Sequence, residues 1–253
     1  MERIHMKTDI QLNSEAVRFR QKVGYSNREP IDVESIVLTM ANYTLVKLDL
    51  SNNISGMCIV DEASKVIAIN SAMSIGRQRY TIAHELYHLE IEQLTEGKVC
   101  PTGIYDNRTE NEKEADMFAS FLLMPYDGLE WYVEKFHILE WNLKNIIDLS
   151  QFYKLSYMAV LFRLKYEGRI TAEELEQLKN INVKNQALKY GYDISLYNSS
   201  QEDERWITLG EYPRILEEKR YAIPESLYRQ FCKEGFRDAV EQGKLEEGDG
   251  LND

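Results

Sequence analysis

The chain has 253 residues, with 30 Lys plus Arg against 42 Asp plus Glu and a formal net charge of −12. That excess excludes a surface built throughout as a nucleic-acid or anionic-membrane patch, since both partners are polyanions; a local basic strip stays open. The length suits one large domain or two modest ones. With 43% hydrophobic residues and 16 Tyr, 8 Phe and 3 Trp, the chain can bury a core instead of remaining disordered. Cys58, Cys100 and Cys232 are odd in number and far apart, with no CxxC pair, so neither a disulfide framework nor a thiolate zinc site is expected. The first residues lack a signal-peptide apolar stretch, and no run approaches the roughly 18 apolar residues of a membrane helix. A soluble, cytoplasmic protein is the expectation.

In chain order, residues 13–24 read as a helix opened by Asn13 or Ser14 and closed by Gly24. A turn at Asn27–Pro30 leads to a second helix within residues 31–42. Three β-branched runs, 44–50, 55–61 and 64–70, are separated by turn signals and predict a meander of three strands. One long helix is predicted over 75–95 and another over about 109–124, stopped by Pro125. The pattern then stays mostly helical to about 180. Beyond 190 it mixes possible strands (193–197 and 205–209) with a closing helix at 223–242, and the acidic end is expected to fray.

The chemistry concentrates in His84-Glu85-Leu86-Tyr87-His88. Two His at i and i+4 lie on one helix face, one turn apart, so both imidazoles can reach one metal ion. Zinc suits two neutral imidazoles and a carboxylate, leaving a fourth position for water, whose pKa it lowers towards ~7. Glu85 is rotated about a third of a turn from His84, so it can flank the ion and accept the proton of that water. A chance match on a solvated helix is the competing reading. Two features count against it: the chain has only four His, and the helix is flanked by apolar residues, where unpaired imidazoles are costly. Downstream, Glu112 and Asp116 form another i, i+4 pair, suited to a ligand and to a hydrogen-bond acceptor that fixes a ligating His. Glu114 points about 200° away from Glu112, and Glu110 reads as an acidic first turn that complements the helix dipole. His5 and His137 read as ordinary residues.

Residues 77–88 (RQRYTIAHELYH) and 112–125 (EKEADMFASFLLMP) together resemble the ImmA/IrrE family of zinc metallopeptidases, of the gluzincin-like HExxH type, with both motifs in order and suitably spaced. The resemblance implies one Zn²⁺ held by His84, His88 and Glu112, Glu85 as general base, and Asp116 behind a ligand. The family usually carries a small residue where Tyr87 stands, a departure expected to narrow or reshape the cleft. One of the three strands is expected to offer its edge to an extended substrate.

Residues 149–164 resemble a helix-turn-helix. Leu149, Tyr153, Leu155, Ala159 and Leu164 occupy its core positions, Ser156 its second cap, and Lys154 a turn position that favours Gly. Residues 143–180 hold six basic and five acidic side chains, a net of +1, which is poor electrostatics for DNA. A structural or protein-docking unit is the preferred reading.

The expected architecture is α+β. A zincin-like peptidase domain with a small three-stranded sheet and the HExxH helix spans 1–127. A helical, helix-turn-helix-like domain follows over 128–185, then a mixed C-terminal extension of unassigned role over 186–253. The expected function is a zinc-dependent endopeptidase that cleaves a helix-turn-helix repressor and so derepresses stress or mobile-element genes. Too few residues precede the first strands for a fused repressor domain, so the substrate is expected to be a separate chain. The alternative is a DNA- or protein-binding regulator without peptidase activity. Half of the net charge, −6 from 8 basic and 14 acidic residues, lies in 201–253 and says little about a catalytic cleft.

Overall fold

The computed structural model describes residues 6–50, 54–60, 64–93, 98–101, 109–201 and 207–219. Helix α1 (Asp9–Lys22) opens with a capping box, the Thr8 side chain and Gln11 satisfying each other's backbone groups. It therefore begins four residues before the expected Asn13 start. Asp32 caps α2 (Val33–Thr39) by accepting from the Ser35 amide at 3.4 Å.

The three predicted strands form as β1 (Tyr43–Leu48), β2 (Ile54–Val60) and β3 (Lys65–Asn70). They are not a meander. β3 lies between the other two, antiparallel to β2 and parallel to β1. Two further strands widen the sheet: β4 (Lys98–Pro101) pairs with β2, and β5 (Ile207–Gly210) pairs with β1, both antiparallel. The order is β4-β2-β3-β1-β5. Each of the three predicted strands is thus paired on both sides, which corrects the expectation that one of them presents a free edge. β3 is central, and Ile67 to Asn70 are buried on both faces, as suits an interior strand.

Helix α3 (Ile75–Leu86) continues as a π-helical turn over Tyr87–Glu92 and ends at Gln93, whose φ of 56° reverses the chain. Helix α4 (Glu110–Leu123) is capped by Thr109 and ends at Met124, with Pro125 then opening α5 (Tyr126–Lys135). Next come α6 (Leu143–Tyr153) and α7 (Tyr157–Tyr166), the expected helix-turn-helix pair. Lys154 sits in the left-handed region at φ 54°, the position expected to favour Gly, and Ser156 Oγ accepts from the Ala159 amide at 3.2 Å. Leu149, Tyr153, Leu155 and Leu164 are buried, whereas Ala159 is half-buried.

Helices α8 (Ala172–Lys179), α9 (Val183–Lys189) and α10 (Glu211–Lys219) complete the described chain. The predicted strand at 193–197 is instead a 3-10 turn over Ser195–Tyr197, because Asp193 accepts from both the amide and the hydroxyl of Ser195 at 2.9 Å and bends the backbone. The helix expected at 223–242 lies outside the described residues. No helix among the described residues is long and apolar enough to cross a membrane.

One hydrophobic cluster runs from Leu12 to Tyr197, with α3 packed on the sheet, α4 on α3 and α1 on α4. Two buried arginines tie its parts together. Arg20, fully buried on α1, donates to the carbonyls of Leu122 (2.5 Å), Ser26 (2.6 and 3.1 Å) and Glu29. Arg79, on α3, donates to the carbonyls of Ile31 (2.5 Å) and Lys154 (3.2 Å) and to Asp32 (3.4 Å). Close by, a Cβ on Gly76 would stand 2.7 Å from the Ser156 nitrogen. The turn between α6 and α7 is therefore seated on the first turns of α3.

The π-turn is pinned by Glu90, which accepts from Tyr43 Oη (2.6 Å), Lys65 Nζ (2.9 Å) and Lys22 Nζ (3.0 Å). Burial alone would raise its carboxyl pKa, but these bonds outweigh it and hold the group at about 2. A depressed folded pKa gives stabilisation that is present above the ordinary value of 4.5 and is lost as pH falls towards 2. Glu90→Gln is expected to cost about 2 kcal/mol at pH 7, the worth of charge-assisted bonds. Urea unfolding at pH 7 and pH 3 checks this, the difference from wild type shrinking at the lower pH. An equal difference at both would contradict the assignment.

Candidate metal centre

α3 and α4 pack against each other and bring the two motifs together. His84 Nε2 lies 3.2 Å from His88 Nε2 and 3.2 Å from Glu112 Oε2, and His88 Nε2 lies 3.4 Å from Glu112 Oε1. Both imidazoles and Glu112 are buried, and their ligand atoms lie within 4.8 Å of one another, the geometry of a group that could hold a metal ion.

The opposite face of each ring decides what these atoms can do. His84 Nδ1 is 3.0 Å from Asp116 Oδ1, and His88 Nδ1 is 2.5 Å from Glu92 Oε2. A neutral imidazole that donates through Nδ1 leaves Nε2 as a lone pair. Two such lone pairs and a carboxylate then face one small space, a donor set that fits a cation and suits zinc. The surroundings favour positive charge there. Burial pushes the His84 pKa down, yet the bonds to Asp116 and Glu112 and the charge of Glu85 outweigh it and lift it to about 9.

Local sequence explains the placement. Thr109 Oγ1 accepts from the Glu112 amide at 3.3 Å, which starts α4 so that Glu112 and Asp116 fall on its α3-facing side. Tyr80, one turn before His84, donates to the Asp116 carbonyl at 2.6 Å and holds the two helices in register. Glu85 is fully buried and faces β2, where a Cβ on Gly56 would stand 3.2 Å from Glu85 Oε1 and 2.5 Å from Thr81 Cγ2. Only glycine leaves room there for the carboxylate and the helix. Glu110 is exposed in the first turn of α4, and Glu114 faces away from the centre, as their spacing predicts.

Tyr87 differs from expectation. It is buried between α3 and α4, with its ring 5.6 Å from those of His88 and Phe118. Its hydroxyl donates to Glu114 and accepts from Lys7 Nζ at 3.1 Å. Burial and Glu114 together push its pKa well up. Its bulk packs against α4, with the hydroxyl directed to Glu114. His137 is exposed, far in sequence from the cluster, and His5 lies outside the described residues.

Two contributors were missed in the sequence. Glu92 stands four residues after His88, so the i, i+4 rule that singles out Asp116 could have found it. Gly56 interrupts a strand pattern, a known sign of close backbone approach.

Residues 41–165 match the Peptidase_M78 family model, described as the IrrE N-terminal-like domain. Over 126 residues the chain is 25% identical to an uncharacterized immunity region protein 2 of Bacillus phage phi105, a stretch covering 50% of this chain and 75% of that protein. A solved Mycobacterium tuberculosis transcriptional regulator aligns with 62% of this chain at 18% identity and a TM-score of 0.43. The chain covers 46% of that regulator's length. The family match takes in the His84–His88 helix, the Glu112–Asp116 helix and all but the last residue of the α6–α7 pair, and residues 41–165 thereby form an IrrE N-terminal-like domain of the Peptidase_M78 family.

Proposed function

We propose that the protein is a zinc-dependent endopeptidase of the cytoplasm that cleaves a separate helix-turn-helix repressor. The observation that carries this reading is the convergence of His84 Nε2, His88 Nε2 and Glu112, with each distal ring nitrogen already taken by a carboxylate. His84, His88 and Glu112 would hold the ion, which when bound supplies a polarised carbonyl and a water acidic enough to ionise near neutral pH. Glu85, buried beside His84 and backed by Gly56, takes the proton of the attacking water and returns it to the leaving amine. Asp116 fixes the tautomer and orientation of His84. Three protein ligands with a carboxylate alongside suit catalysis, because structural zinc sites are normally closed by four.

Support for a regulatory substrate comes from the family resemblance and from the phage relative, which is named for an immunity region. The α6–α7 unit serves as a buttress of the catalytic helix in this reading and does not read DNA. Its turn is held by Arg79 and closed over Gly76. Its second helix buries Tyr157, Val160 and Leu161. Co-expression with a candidate helix-turn-helix repressor, followed by mass spectrometry, tests the reading. Two repressor fragments are expected. An intact repressor, together with salt-sensitive DNA binding by the protein itself, would favour a non-proteolytic regulator.

A further inference from the structure

Glu92 has a more specific task than closing a helix. His88 is fully buried, and a buried imidazole that ligates through Nε2 needs an acceptor for the proton on Nδ1. Glu92 Oε2 lies 2.5 Å from that atom. Glu92 stands at i+4 from His88, inside the π-helical turn Tyr87–Glu92, within reach of that nitrogen along the same helix. Gln93 follows in the left-handed region, so Glu92 is the last residue before the chain turns away. Its second oxygen accepts from Asn111 Nδ2. Asn111 stands directly before Glu112 in the first turn of α4.

We infer that Glu92 is the positioning residue for His88, and that Asn111 anchors it. The two ligating imidazoles are then served alike, His84 by Asp116 and His88 by Glu92. α4 controls both arms, supplying Asp116 directly and the anchor of Glu92 through Asn111. The first turn of α4 thus carries a metal ligand and, one residue earlier, the tether for the other helix's orienting carboxylate. This rests on the reading of His84, His88 and Glu112 as zinc ligands.

Competition of the full chain against a zinc chelator, with Zn²⁺ alone as probe, tests it without any peptidase assay. Glu92→Ala is expected to weaken zinc binding by about 10- to 100-fold, the usual effect of losing such a partner. Glu92→Gln, which keeps an acceptor but not the charge, is expected to fall between. Asn111→Ala is expected to cost several-fold, and the double variant no more than Glu92→Ala alone, since the anchor acts only through the carboxylate. A merely structural Glu92 would lower the melting temperature of the zinc-free protein and leave the zinc affinity of the folded protein unchanged. Wild-type affinity in Glu92→Ala, with one zinc per wild-type chain, overturns the positioning role and leaves the metal centre standing. No zinc uptake by wild type overturns both.

Discussion

Glu85→Gln is expected to slow repressor cleavage by about 10²–10⁴-fold, while zinc content stays that of wild type. The substitution preserves shape in a confined place. Glu85 is fully buried, and the space left by Gly56 fits an amide as well as a carboxylate. What disappears is the proton acceptor. The group that could hold a metal ion consists of His84, His88 and Glu112, and Glu85 is not part of it. Single-turnover cleavage measured beside metal content separates the two roles. Loss of zinc together with activity would make Glu85 a ligand, and undiminished cleavage would remove it from the chemistry.

Arg20→Met is expected to be the most destabilising of the substitutions considered, by about 3–5 kcal/mol, since several buried carbonyls lose their donor at roughly 1–3 kcal/mol each. Methionine replaces most of the apolar stem, but the carbonyls of Ser26, Glu29 and Leu122 lose their donor inside the protein. Burial lowers the Arg20 pKa to about 10, so the guanidinium is charged at neutral pH and its bonds are charge-assisted. For a chain of this size the loss corresponds to a melting temperature lower by about 10 °C, read by circular dichroism. Since Leu122 belongs to α4, the damage reaches the helix that carries Glu112 and Asp116. A shift under about 2 °C would show that the clamp contributes little.

The helical half of the centre was legible because helix spacing converts sequence into geometry. His84 and His88, and Glu112 and Asp116, are i, i+4 pairs, and Ser156 and Pro125 mark helix ends by local chemistry. The meeting of the two pairs needed the family's two-motif pattern, since nothing local specifies how α3 packs on α4. The sheet was legible only as strands. Its order depends on β3 entering between β2 and β1 and on β4 and β5 arriving from distant sequence, and no turn signal encodes those long-range pairings. The π-helical turn was invisible for a related reason. Its sequence continues an ordinary amphipathic pattern, while the register change is fixed by tertiary bonds such as those from Lys22, Tyr43 and Lys65 to Glu90. Tyr87 was misjudged because its neighbours in the motif face the metal, whereas its own direction on the helix is towards Phe118 and Glu114.

The central claim is that the two imidazoles and Glu112 hold one catalytic zinc. Stripping the protein with a chelator and titrating zinc back while following repressor cleavage tests it directly. Activity is expected to vanish on stripping and to return in proportion to added zinc, saturating at one ion per chain, with no recovery in His88→Ala. Cleavage that persists in the stripped protein, or recovery in His88→Ala equal to wild type, would contradict the account.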